Sequence, residues 1–232
     1  MRVRLRFGKV GKIRFTSHRD VARMWERAFR RVAIPLAWTQ GFSPRPKLSF
    51  GLALPTGAES VAEYLDVELA EGAGVDVAAL PERLTPALPA GIDALASAVL
   101  PDGAASLQHE VTSCEWRVDT AGLDPGRLEA AVTAALAADS LVISRERKGR
   151  RADDDVRPGI LACSVEGLTL VAELASQPRA LRPSELLLAI GGVEEVRVRR
   201  TSQWIERDGA RWEPIPLPPE ATDAPHVVAR AS

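Results

Sequence analysis

The chain has 232 residues, 46% of them apolar and 26% charged, which suits a folded protein of one large domain or two small ones. Its two cysteines, Cys114 and Cys163, are too few for a disulfide framework, a cysteine-built metal site or an iron–sulfur cluster, so no metal and no cofactor is expected. No apolar run approaches the roughly 18 residues that cross a bilayer, and the opening MRVRLRFGKV alternates charged with apolar residues, unlike a signal peptide. The expected location is the cytoplasm, with no membrane partner.

The formal net charge of −1 conceals segregation. Residues 1–50 carry thirteen Lys/Arg against two Asp/Glu, a net of +11. Residues 51–100 carry one Arg against eight acids, and residues 101–140 two Arg against seven. Such asymmetry produces either a directed positive face or an internal seam where the halves neutralise each other.

In chain order, residues 1–7 alternate as V-R-L-R-F and predict a half-buried strand, continued at 12–15 after a Gly8/Gly11 turn. Ser17, with an acid three residues on, predicts a helix start. Val21, Met24, Trp25, Ala28, Phe29 and Val32 fall on its buried face, arginines fill the remainder, and Pro35 ends it. Extended segments are expected at 48–54 and 63–69, a short helix near 77–88 and a strand at 92–99. The same order then starts again. A strand at 110–118 leads to an Ala-rich helix at 124–138, opened by Asp124 and Pro125. Strands at 141–147, 160–165 and 169–174, a helix at 183–190 ended by Gly191 and Gly192, and a strand at 193–201 complete it. The fold class is therefore α+β, two tandem ferredoxin-like (split β-α-β) sandwiches at 1–102 and 103–206, with a loose Pro/Ala-rich tail at 207–232.

Three stretches carry candidate chemistry. Arg19, Arg23, Arg27 and Arg30 recur at helical spacing with few acids between them, as a groove neutralising a phosphate backbone requires. The strand before them is expected to add Arg2, Arg4, Arg6, Lys9, Lys12 and Arg14 to the same surface. In QGFSPRPK two prolines stiffen a loop from which Arg45 and Lys47 project beside Phe42, a pairing of cations with an aromatic that suits single-stranded nucleic acid. His18, the first helical residue, is a catalytic candidate as a general base on a ribose hydroxyl. In RERKGRRADDDVRPGI, Lys148 and Arg157 would extend the polyanion surface, and Asp153, Asp154 and Asp155 are read as a turn.

The run FTSHRDVARMWERAFRRVAIPLAWTQGFSPRPKLSFGLALPTGAESVAEYLDVEL resembles the radical-SAM-linked family of unknown function. Its members occur as a C-terminal domain of cobalamin-type radical SAM proteins or as a small protein encoded beside one. The likeness rests on S-H-x-D, the arginine-rich helix, G-F-[SN]-P-x-P-K-x-S-F, A-L-P-x-G, and the pair Glu63 and Asp66. It continues through DDVRPGI and VRRTSQWI, and departs where many relatives carry His and this chain has Arg45. The resemblance implies association with a radical SAM enzyme. In architecture alone, tandem ferredoxin-like domains with a basic face are also similar to CRISPR repeat-RNA-processing proteins, whose catalytic His can sit near the first helix. The resulting expectation is a noncatalytic RNA-binding accessory module, with tRNA as candidate ligand and a radical SAM protein as candidate partner. Two alternatives stay open: a metal-independent RNA-cleaving or RNA-modifying enzyme using His18, and a protein-interaction domain docking on the radical SAM partner.

Overall fold

A computed structural model describes residues 1–147 and 150–215. The chain opens with β1 (Arg2–Lys9), a single 3-10 turn at Gly11–Phe15, and α1 (His18–Arg31). The strand expected at 12–15 is thus a helical turn. Gly11 takes a left-handed φ of 73°, and the Lys9 ammonium donates to the carbonyls of Arg14 and Thr16, curling the segment over itself. In α1 the Ser17 hydroxyl accepts from the Asp20 N–H and donates to its carboxylate, closing the first turn. Ala33, at φ 53°, ends the helix before Pro35. Val21, Trp25, Ala28 and Phe29 form its buried stripe, as the periodicity requires.

Next come β2 (Leu48–Phe50), β3 (Glu59–Glu68), α2 (Leu80–Leu84) and β4 (Ile92–Val99). β2 stops short of the expected 54 because the ladder ends at Gly51, after which the Leu52 carbonyl accepts from Arg200. The second half runs α3 (Leu107–Glu110), β5 (Ser113–Ala121), α4 (Pro125–Ala137), β6 (Val142–Arg147), β7 (Arg150–Asp155), β8 (Ile160–Glu166), β9 (Thr169–Ala175), α5 (Pro183–Ile190), β10 (Glu194–Arg207) and β11 (Ala210–Trp212). β7, read as a turn from its three aspartates, pairs with β6 as a separate hairpin. Those carboxylates diverge: Asp153 accepts from Ser144, Asp154 pairs with Arg145, and Asp155 accepts the N–H groups of Leu141 and Arg157.

Among the described residues the molecule is an α+β protein with one nine-stranded mixed sheet, ordered β4-β1-β3-β10-β5-β9-β8, with β2 on β3 and β11 on β10. The two halves expected as separate sandwiches share this sheet. They meet where β10 runs parallel to β3, at Arg199 beside Glu59 and Arg200 beside Ser60. All the other strand pairs are antiparallel. Two apolar cores result. Val3, Leu5 and Phe7 pack with α1 in the first. Ala62, Tyr64 and Ala96 face the second, with Trp116, Leu128 and Leu186. β10 also runs past its expected end at 201 because Gln203 and Ile205 still point inward. The segment that follows, expected to be loose, begins with the β10–β11 hairpin and a buried Ile215.

Candidate nucleic-acid interface

The positive charge of the first fifty residues separates into a buried set and an exposed set. In β1 the residues alternating with Val3, Leu5 and Phe7 are arginines, and the sheet buries them too: Arg4 is 3% and Arg6 2% exposed. Asp66 takes the Nε of Arg4 at 2.7 Å and a guanidinium nitrogen of Arg2 at 2.7 Å. Arg6 donates to Glu213 at 2.8 Å and to the carbonyl of Ile215 at 3.0 Å, which holds the segment after β11 against the sheet. Lys9, 4% exposed, sits beside the carbonyls of Arg14 and Thr16, and burial pushes its ammonium pKa down. These four residues were expected on an outer basic surface. Arg4, Arg6 and Lys9 lie inside and Arg2 is half-buried: the three arginines pair with acids from distant strands and segments, Lys9 is held by main-chain carbonyls, and internal neutralisation accounts for much of the charge asymmetry.

The exposed set is α1's outer face. Arg19, Arg23, Arg27 and Arg30 all face solvent. Arg23 lies 3.5 Å from Asp20, and among the described residues Arg19, Arg27 and Arg30 have no carboxylate within ion-pair distance. Nearby, Arg14 stacks over the exposed ring of Phe15 with 4.5 Å to its centroid.

The loop between α1 and β2 is an ordered projection. Trp38 bridges to Pro46, the Thr39 N–H donates to Arg45 at 2.8 Å, and the Arg45 N–H returns to the Thr39 hydroxyl at 3.0 Å. Its tip carries Phe42, 110% exposed, and Trp38 is also open to solvent. Arg45 and Lys47 line a groove of about 450 Å³ with Arg2, Thr39, Ser49 and Asp66, and Lys47 pairs with Glu68 at 2.9 Å. Leu48 and Phe50 turn the other way, into the core under α1.

His18 does not meet the loop tip. Its ring packs edge-on against Phe50, with centroids 5.0 Å apart, above a small pocket that also contains Lys9 and Glu63. Arg157 is turned inward: its guanidinium donates to the carbonyls of Leu136, Ala138 and Ile160, closing the C-terminal end of α4. The half-buried residue thus commits its guanidinium to main-chain carbonyls. Lys148 lies outside the described residues.

The sequence reading missed the seam between β3 and β10. Arg199 grips Glu59 at 2.7 Å, and Arg200 grips Glu63 at 2.6 Å in a buried pair. Burial disfavours ionised Glu59, but donation from Arg199 and from the Gly11 N–H outweighs it and holds its carboxyl below the usual range. The available signal was Glu63 in the E-Y-L-D-V-E run, an acid that strand alternation places on the same face as the apolar Leu65 and Val67.

No curated protein matches the sequence. Residues 2–183 match the model of a family described as "Uncharacterized protein conserved in bacteria (DUF2344)". That match spans well over half of the chain, which therefore belongs to this family of uncharacterised bacterial proteins.

Proposed function

We propose that the protein is a noncatalytic RNA-binding accessory module that works with a radical SAM enzyme and takes tRNA as its candidate ligand. The observation that carries this reading is the outer face of α1, where Arg19, Arg27 and Arg30 stand in solvent with no carboxylate partner among the described residues. Like charges at this spacing repel one another unless a polyanion lies across them. The solvent-facing rings of Phe42 and Trp38 supply stacking surfaces for unpaired bases, with Arg45 and Lys47 as neighbouring phosphate contacts. The radical SAM partner rests on the sequence resemblance carried by S-H-R-D and G-F-S-P-R-P-K.

The same proposal assigns each half a split β-α-β unit. The order β4-β1-β3 with β2 on β3, and the order β10-β5-β9-β8, both place the first strand of the half between its last and third strands. The reading stops short of catalysis by His18, whose ring packs against Phe50 and makes no side-chain hydrogen bond among the described residues.

The test compares tRNA binding by the full chain and by a variant carrying Arg23→Glu and Arg27→Glu, with a Phe42→Ala variant beside it. The reading expects the double reversal to weaken binding at least a hundredfold, and Phe42→Ala by roughly tenfold, the value of one stacked base. Binding that ignores both changes contradicts RNA recognition by this face. Capture of a radical SAM protein that survives nuclease but is lost in the arginine variant assigns the face to protein docking instead.

A further inference from the structure

A second concavity lies away from the arginine face, at the seam between the halves. It is a cleft of about 480 Å³, a volume typical of small-molecule sites, bounded by residues 52–56 on one side and by β5, β9 and residues 180–182 on the other. Its walls are largely apolar, with Leu54, Leu174, Leu181 and Trp116. Two arginines line it: Arg200, 1% exposed, paired with Glu63 and lying over the Trp116 ring, and Arg182, which is exposed.

Two donors on its walls are short of acceptors. The Nε and Nη2 of Arg200 donate to Glu63, and Nη2 also reaches the Leu52 carbonyl. Its Nη1 has only the sulfur of Cys114 at 4.0 Å, a weak acceptor. On the same wall the indole N–H of Trp116, a residue 4% exposed, has no partner at all. Buried donors without acceptors are costly, and a guanidinium facing a concave apolar space is suited to a ligand oxygen. Cys114 does not add nucleophilic chemistry, since burial pushes its thiol pKa up and keeps it protonated.

We propose that this cleft binds an amphiphilic small-molecule anion, with its apolar body between Trp116 and Leu181 and one oxyanion group at Arg200 and Arg182. The site is separate from the RNA reading and stands or falls without it.

Anilinonaphthalene sulfonate, an aromatic body with one sulfonate, is the probe, and its uncharged parent phenylnaphthylamine is the comparator, both titrated by fluorescence into the full chain. The expected result is saturable one-site binding of the sulfonate, at least tenfold tighter than the parent, the worth of about one charge-assisted hydrogen bond. Ala180→Trp, at an exposed position on the rim, is expected to abolish binding by filling the cleft, and Arg182→Gln to weaken it. Arg127→Gln, at the exposed start of α4 and outside the cleft, should leave it unchanged. Arg200 itself is left alone because its removal strands the Glu63 carboxylate. Equal affinity for both probes, absence of saturation, full binding by a folded Ala180→Trp protein, or loss of binding in Arg127→Gln would each overturn the assignment. Should Ala180→Trp fail to fold, the comparison of the two probes on the unaltered protein decides the question.

Discussion

Arg157 illustrates how a basic residue read as part of a surface becomes part of the scaffold. Three main-chain carbonyls, from Leu136, Ala138 and Ile160, accept from its one guanidinium. Arg157→Ala should therefore lower stability by about 2–3 kcal/mol, since several charge-assisted bonds to a helix end disappear together. Denaturant unfolding measures the loss, and tRNA affinity at a temperature where both proteins are folded should be unchanged. Cys163 gives a prediction of a different kind. Burial pushes its thiol pKa up to about 11, from an ordinary value of 9.0. At pH 8 the thiolate fraction then falls roughly a hundredfold, and iodoacetamide should modify Cys163 that much more slowly in the native protein than after unfolding. The rate should climb about tenfold per pH unit up to pH 10. Modification at the rate of a free thiol at pH 8 would contradict the environment assigned to it.

At the scale of elements, the segments that read correctly from sequence are those whose causes are local. Ser17 with Asp20, and Asp124 with Pro125, sit at the starts of their helices, and Val21, Trp25 and Phe29 mark a buried stripe by spacing alone. β4 and α5 fall at their expected bounds for the same reason. The seam of β3 with β10 was not legible, because Arg200 and Glu63 lie 137 residues apart and nothing near either one names its partner. The inward direction of Arg4 and Arg6 was hidden likewise, since alternation locates two faces of a strand without saying that both are covered. The seam predicts that Glu63→Ala costs about 3–5 kcal/mol by leaving Arg200 buried and unpaired. Replacing Glu63 and Arg200 together with apolar residues should cost less than the sum of the single changes, as a double-mutant cycle would show. Glu59 adds a pH dependence. Its carboxyl titrates lower when folded than unfolded, so its contribution is fully present above the unfolded value near 4.5 and fades as pH falls through the folded one. Below pH 4.5 the native protein should lose stability more steeply than Glu59→Gln, and above it the two curves should run parallel.

For the whole molecule, the fold divides a near-neutral chain into an internally compensated sheet and an uncompensated helix face. Arg2, Arg4, Arg6, Arg199 and Arg200 meet Asp66, Glu213, Glu59 and Glu63 within the sheet. Arg19, Arg27 and Arg30 face solvent with no carboxylate partner among the described residues. The basic segment thus divides, and the proposed recognition rests on α1 and the loop ahead of β2. That division is also why overall pI says little about the ligand: the field that matters belongs to one face. The most direct test of recognition by that face is the salt dependence of tRNA binding by the full chain. With about four to six phosphates neutralised, a log–log plot of affinity against salt should fall with a slope of roughly −3 to −5. A flat slope, or no binding even at low salt, would contradict it.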